Sequence, residues 1–401
     1  MNPPTTQPNV TVNAVRTIPA IWSFPRAMTW DWAYAVADKR DLRLDLLRGF
    51  AVFAMVVDHL GGSSWLYFVT GGNTFFVSAA EAFVFLSGLV VGMIYGGIAL
   101  KEGLRVAQIK ALQRAFTLYK LSVVLTLAFA AMTLLFGLPW ASTVQIGSPL
   151  EFVFNVLTLR QTMYLTDVML MYTVLMVGAA AGLWFLVTRR TWRLLALSFA
   201  GWLAFQIAPA QINAAWYIAG NTTFNIAAWQ LLFFVAMTVG FHRQTLGKKL
   251  SGLPRLSYLL FTGLALVWLM QLHATNGAYL ARMFPGFDAE NLMHEFFLKS
   301  ALAPGRLLAS FFVFQFAYLV VTMLWKPIAA TFGWLLVPLG QNSLYGYTMH
   351  VAVIGLFYIV LPYLPSSVPT IATLNTSLQL LAVLAIWAMV QRRFLFQVVP
   401  R

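Results

Sequence analysis

Long apolar stretches alternate with short polar segments along the whole chain. A helix that crosses a bilayer needs about 20 mainly apolar residues. Ten stretches of suitable length occur, at 44–61, 75–98, 113–137, 166–187, 192–209, 222–240, 256–273, 300–325, 333–360 and 371–391. The pattern therefore predicts an all-α, polytopic integral membrane protein, with ten transmembrane helices in one domain over residues 44–391 and a cytoplasmic tail at 392–401.

The N-terminal residues 1–43 lack such a stretch. They carry five prolines among scattered polar residues, and no basic run followed by an apolar core precedes the first predicted helix. A cleaved signal peptide needs both features. We therefore expect a cytoplasmic or interfacial segment here, with no cleaved signal.

Composition supports the membrane assignment. Of the 401 residues, 60% are apolar and only 9% are charged, whereas soluble domains average about 25% charged residues. The net charge is +14, but the basic residues stand in short clusters between apolar stretches, so we attribute them to topology and expect no nucleic-acid partner. The chain has no Cys, which excludes disulfides and thiolate chemistry.

The basic residues also predict orientation. Cytoplasmic loops are enriched in Lys and Arg. With ten helices and both termini in the cytoplasm, the loops on the opposite side hold only Arg160, Arg282, Lys299 and Arg306 of the 26 Lys and Arg residues. This arrangement is the predicted topology.

Arg48 and His59 stand out in the first predicted helix. A step of eleven residues is close to three helical turns, so both side chains face the same side, about 16 Å apart along the axis. Ionisable groups inside a bilayer are costly and usually functional. Since the first helix runs outward, Arg48 is expected near the cytoplasm and His59 near the outer face.

Three carboxylates and one arginine complete this first constellation. Asp58 precedes His59, and Glu81 opens the second helix, which returns a carboxylate to the level of His59. Arg43 and Asp45 lie near the start of the first helix. A His held by a carboxylate can take a proton from a hydroxyl, and Arg can bind an anionic donor. For Arg43 and Asp45 a structural ion pair is an equal alternative.

A second polar constellation lies in the ninth stretch. Ser343, Tyr347 and His350 fall on one helical face, with Asn342 beside them. Such residues either line a donor-binding face or join helices by hydrogen bonds. His294 has no second His at metal-ligand spacing, so we expect no metal site.

Three segments together resemble a known family. RDLRLDLLRGFAVFAMVVDH at 40–59, AAEAFVFLSGLVVGMIYG at 79–96 and LGQNSLYGYTMHV at 339–351 resemble the OpgC family of inner-membrane proteins, within or near the acyltransferase-3 group. Thr348 and Met349 depart from the residues common before the last His in that wider group. The resemblance is dense in these segments and elsewhere rests on the number of predicted helices.

The resemblance implies transfer of an acyl group from cytoplasmic acyl-CoA to a hydroxyl of a periplasmic glucan, with succinyl as the group transferred in the OpgC family. It further implies that His59 is the base or acyl relay, that Arg48 is the donor-side cation and that Glu81 orients the His. His350 and Tyr347 would line the donor channel. No permanently bound cofactor is expected, because acyl-CoA is a substrate.

Two other functions remain open from the sequence. One is O-acetyl transfer from acetyl-CoA to another polysaccharide or a lipid-linked sugar. The other, from a different class, is transport of a carbohydrate or anion, although the chain lacks the internal repeats that many transporters show. In each case the expected location is the bacterial inner membrane with the acceptor site facing the periplasm, and a homo-oligomer is compatible with the sequence.

Overall fold

The structure is a computed structural model of the chain, and it describes residues 32–34, 40–143, 148–250, 252, 254–284, 286 and 288–400. Most of the predicted N-terminal segment, with Arg16, Arg26 and Lys39, lies outside the described residues, as does Arg401 of the predicted tail. The domain boundaries therefore stay a prediction.

The described residues form an α-helical protein, as the apolar pattern predicts. The first nine helices are α1 Leu42–Leu60, α2 Tyr67–Thr70, α3 Ala79–Lys101, α4 Leu104–Phe136, α5 Pro149–Leu157, α6 Asp167–Val187, α7 Thr191–Ile207, α8 Pro209–Ala215 and α9 Ile226–Phe241. The remaining helices are α10 Arg243–Leu250, α11 Arg255–Ala274, α12 Ala278–Met283, α13 Ala289–Asn291, α14 Pro304–Met323, α15 Trp325–Gln341, α16 Ser343–Val360 and α17 Ala372–Gln391.

Seven helices of the described part of the chain are long and apolar enough to cross a bilayer, and up to nine are if two bent helix pairs each count as one span. The seven are α3, α4, α6, α11, α14, α16 with the turn after it, and α17; the bent pairs are α7 with α8 and α9 with α10. Helix α1 carries four charged side chains and is not among them. A multi-span helical architecture is thus confirmed, while ten spans with both termini in the cytoplasm stay a prediction.

The prediction of one ninth helix over 333–360 is wrong, because α15 ends at Gln341 and α16 begins at Ser343. Pro338 has no N–H to donate within its helix, and the Trp334 carbonyl accepts a hydrogen bond from Trp387 Nε1 instead, at 2.9 Å. The side-chain amide of Asn342 donates a hydrogen bond to the Pro338 carbonyl, at 2.9 Å, at the point where the helix ends.

Glycines let the central helices approach one another closely. In α3, a Cβ added at Gly88 would lie 2.3 Å from the Phe233 carbonyl oxygen, and one at Gly92 would lie 1.9 Å from that of Met237. Small residues spaced by four are the usual means of close helix packing in membranes. The GLVVG segment therefore fixes α3 against α9.

Helix α1 is held by a similar contact with α15. A Cβ added at Gly49 would lie 1.8 Å from the Leu336 carbonyl oxygen, and one at Gly340 would lie 1.7 Å from that of Asp45. Helix α1 also contacts α3, α16 and α17. Helix α1, with its four charged residues, is therefore packed among other helices, which is where ionisable groups in membrane proteins belong.

Candidate functional site

Helix α1 positions the first constellation. It begins where the Asp41 carboxylate accepts a hydrogen bond from the Arg43 backbone N–H, which satisfies a donor that the first turn leaves free. Arg48 and His59 then share a face of α1, with Val52 and Met55 between them. We call this the Arg48–His59 face.

The structure brings His59 and His350 together, although they belong to separate motifs of the sequence. His59 Nδ1 lies 2.8 Å from His350 Nε2, and the ring centroids are 5.0 Å apart. His350 Nδ1 lies 3.1 Å from the Tyr347 carbonyl oxygen. Three groups therefore form one hydrogen-bonded chain in which His350 is fully buried.

Glu81 does not orient His59, contrary to the expectation from the resemblance. Its Oε2 atom accepts hydrogen bonds from the Ser78 backbone N–H, at 2.9 Å, and from the Ser78 hydroxyl, at 2.6 Å. Its Oε1 atom pairs with Arg306, at 2.6 to 2.7 Å. Both residues of this ion pair are buried. Because its oxygens are taken up by these donors, Glu81 fixes the start of α3 to α14.

Asp58 points away from the His59–His350 pair. Its Oδ1 atom accepts a hydrogen bond from the Thr70 hydroxyl, at 2.6 Å, and its buried Oδ2 atom has no hydrogen-bond partner among the described residues. Adjacent residues of a helix face directions about 100° apart. The carboxylate next to His59 in the sequence therefore does not hold its ring.

Arg48 stands apart from the ion pairs of the helix. Within the described part of the chain it forms no close ion pair, and its buried Nε atom has no hydrogen-bond partner. Between Arg48 and His59 on this face lie Val52 and Met55, which are buried, with 1% and 5% exposed, and which do not line the groove described below. In the described conformation these two buried side chains therefore stand between the arginine and the imidazole.

Arg43 and Asp45 form the ion pairs of the structural alternative. Arg43 pairs with Asp41, at 2.7 Å, donates to the Thr322 hydroxyl, at 3.0 Å, and lies over the Tyr318 ring. Asp45 pairs with Arg40 through both oxygens, at 2.5 and 2.8 Å. These contacts tie the start of α1 to α14 and leave Arg43 and Asp45 engaged with the protein itself.

The remaining predicted donor-site residues contribute to packing at the start of α16. Ser343 and Tyr347 are buried, and the Tyr347 hydroxyl donates to the Leu165 carbonyl. Asn342 separates the two helices as described. His350 is the member of this group whose side chain lies within hydrogen-bond distance of the first constellation, at His59.

Sequence reasoning missed Lys299 as a site residue and counted it only as a basic loop residue. Its ammonium donates to the Asn73 side chain, at 2.6 Å. Burial lowers the pKa of Lys299, against the opposing effect of Glu81, Asp167 and Asp58. The charged groups that act on Lys299 come from distant segments, which leave no local signature, so no motif could have shown it.

A large groove runs along the other face of α1. It has a volume of about 940 Å³ and is bounded by α1, α3, α11 and α14. It extends from Asp41, just before α1, to Gly62, just after it. The residues of α1 that line it include Leu47, Ala51, Ala54 and Asp58, which we call the groove face. Neither Arg48 nor His59 lines it.

Among the described residues, no group of three His, Asp or Glu side chains could hold a metal ion. Within the described part of the chain, the candidate site consists of the His59–His350 pair, Arg48 without a close ion pair and the structural ion pair of Glu81 with Arg306.

Comparison with known proteins gives one match. No curated protein and no solved structure matches the chain. The model of the OpgC protein family matches residues 40–395, which include α1 and its contacts with α14, α15 and α16. This multi-span helical membrane protein therefore belongs to the OpgC family.

Proposed function

We propose that this protein transfers an acyl group, succinyl by the expectation for its family, from cytoplasmic acyl-CoA to a hydroxyl of a periplasmic glucan, with His59 as the base. The observation that carries the proposal is the hydrogen-bonded chain from the Tyr347 carbonyl through His350 to His59. Family membership supports the choice of substrate class.

The partners of the two imidazoles determine their tautomers. A carbonyl oxygen only accepts, so His350 Nδ1 carries a proton and donates to Tyr347. The Nε2 atom of a neutral His350 then accepts, and His59 Nδ1 must be its donor. His59 Nε2 is therefore left with a free lone pair, as a general base requires.

The reaction follows from this protonation state. His59 Nε2 takes the proton of the sugar hydroxyl as its oxygen attacks the thioester carbonyl. The C–S bond of the intermediate breaks, and the departing sulfur receives the proton from His59, which gives a sugar ester and free CoA. Positioned proton transfer contributes about 10²–10⁴-fold in rate, and His350 Nε2 stabilises the imidazolium by accepting a hydrogen bond from its Nδ1–H.

Arg48 is the proposed anchor for an anionic part of the donor. Its charge is permanent, and its Nε has no hydrogen-bond partner among the described residues. Since Val52 and Met55 close the face between Arg48 and His59, passage of the acyl group along this face requires these two side chains to move. The transition between a closed and an open face is part of the proposal.

The test uses membrane vesicles that contain the full chain, labelled succinyl-CoA or acetyl-CoA outside and unsubstituted glucan inside. The proposal expects labelled glucan and free CoA in equal amounts, with succinyl-CoA as the better donor. His59→Ala should abolish both products while the protein stays folded. Normal transfer by His59→Ala would overturn the assignment, and a preference for acetyl-CoA would replace succinyl with acetyl transfer.

The groove favours a second candidate, transport of a carbohydrate or anion. Its 940 Å³ volume runs along the length of α1, and transport would use this face. A transporter would move glucan across the vesicle membrane without covalent change and without release of CoA. The same vesicle experiment distinguishes the two functions.

A further inference from the structure

Three aromatic side chains from separate segments meet beside His59. Trp140 lies in the 3₁₀ turn Pro139–Thr143, Tyr164 lies in the segment before α6, and Tyr358 lies near the end of α16. The Trp140 and Tyr164 rings are stacked, with centroids 5.6 Å apart. The Tyr358 ring meets Trp140 edge-on, at 4.8 Å. We call these three residues the aromatic cluster.

The cluster is continuous with the proposed base. The Tyr164 ring meets the His59 ring edge-on, with centroids 5.9 Å apart, and Tyr164 is 37% exposed. The Tyr358 hydroxyl lies 3.8 Å from where a Cβ would stand on Gly61, the residue that ends α1. The rings therefore form a wall whose exposed member, Tyr164, lies against the imidazole.

Tyr164 is not itself a base. Burial, followed by the charge of Asp167, raises the pKa of Tyr164 to about 12. The phenol therefore stays protonated at neutral pH and offers a ring face and one hydroxyl. That leaves His59 as the proton acceptor and makes Tyr164 a binding side chain.

A pyranose ring has the complementary surface. One face presents C–H groups that pack on aromatic rings, and its rim presents hydroxyls. Binding sites for small ligands commonly combine aromatic walls with a few polar groups that fix orientation. With one sugar face against the cluster, a rim hydroxyl would be directed at His59 Nε2.

We propose that Trp140, Tyr164 and Tyr358 form the subsite that holds the acceptor sugar next to His59. This inference rests on the proposed acyl transfer and adds the residues that recognise the acceptor. The competing explanation is a belt of Trp and Tyr at the membrane interface, which would have no preference for sugar.

The experiment measures the KM for unsubstituted glucan and the KM for acyl-CoA separately, in vesicles with saturating co-substrate. Tyr164→Ala and Trp140→Ala should each raise the glucan KM by about 5- to 10-fold, the range expected for loss of one aromatic contact. The acyl-CoA KM should not change. Tyr164→Phe and Trp140→Phe keep a ring and should stay near the wild type, which also shows that the fold tolerates change at both positions.

Tyr363→Ala is the matched control, because Tyr363 follows α16 directly and is 85% exposed, without a ring contact to the cluster. An equal rise in glucan KM in this control would support the interfacial belt and overturn the subsite. An unchanged glucan KM in Tyr164→Ala and Trp140→Ala, or an equal rise in the acyl-CoA KM, would overturn it too. If the wild type transfers no acyl group at all, the proposed function is wrong, and so is the subsite that rests on it.

Discussion

Two faces of α1 carry polar side chains at the same height and have opposite surroundings. The Arg48–His59 face is packed against neighbouring helices, with Val52 1% exposed, and it ends in the His59–His350 pair. The groove face lines the groove through Leu47, Ala51, Ala54 and Asp58, although Ala51 and Ala54 are themselves only 1% and 3% exposed. His59 and Asp58 are adjacent in the sequence but belong to different environments, so adjacency does not make them partners.

This difference separates the proposed site of acyl transfer from the cavity that a transported molecule would occupy. The packed face holds the proposed base, whose tautomer is defined by buried partners, which is the preorganisation that catalysis needs. The groove face offers volume, but the ionisable residue of α1 that lines the groove is Asp58 alone. We therefore propose that acyl transfer takes place at the packed face and that the groove is the feature that a transporter would use.

Glu81 gives the largest expected effect, on stability. Glu81→Gln leaves Arg306 buried without its counter-charge and should lower the free energy of unfolding by about 3–5 kcal/mol, measured by thermal or denaturant unfolding in detergent. Transfer per folded molecule should remain. Glu102→Gln is the control, because its pair with Lys110 is about half exposed and such pairs contribute about 0–1 kcal/mol. Normal stability with lost transfer would instead give Glu81 a part in the chemistry.

His350 tests whether the packed face acts through its hydrogen-bonded chain. His350→Phe removes the acceptor for His59 Nδ1 and should lower kcat by about 100-fold, the lower end of the range for proton-transfer catalysis. His350→Gln keeps an oxygen acceptor and should recover part of this loss. The KM for glucan should change little in either variant. Equal kcat in the wild type and His350→Phe would remove His350 from the mechanism.

Arg48 tests the other end of the packed face. Arg48→Met should raise the acyl-CoA KM by about 10-fold or more, since a hydrogen bond to a charged group contributes about 1.5–3 kcal/mol. Arg48→Lys keeps the charge without the planar fork, so its acyl-CoA KM should lie between those of the wild type and Arg48→Met. A change in glucan KM, with acyl-CoA KM unaltered, would contradict the donor-side role.

The groove face should give the smallest effect. Leu47→Phe enlarges a partly exposed side chain that lines the groove and should change acyl transfer by less than about 2-fold, as for substitutions outside a working site. The measurement is the initial rate of labelled glucan formation. A large loss in this folded variant would move the donor path from the packed face to the groove.

The sequence predicts the helical architecture well because apolar length decides it. The last predicted helix, 371–391, differs by one residue from α17. The ninth prediction fails at Asn342, where the Asn342 side chain donates to the Pro338 carbonyl between α15 and α16. Apolar content alone cannot show a break that depends on one side-chain hydrogen bond.

The site is predictable only in part, for a similar reason. Helical periodicity places Arg48 and His59 on one face, and both motif histidines were predicted as site residues. It cannot show that His350 reaches His59, because 291 positions separate them. The same limit applies to Glu81. The resemblance implies that it orients His59, but its partner is Arg306, 225 positions away.

The central claim, that His59 and not its neighbour Asp58 is the base, is tested most directly by one pair of variants. His59→Ala and Asp58→Asn are compared in the same vesicles, with labelled glucan and free CoA measured per folded molecule. The account predicts that transfer is lost in His59→Ala, by about 10²-fold or more, and retained in Asp58→Asn. Retained transfer in His59→Ala, or an equal loss in both variants, would contradict it.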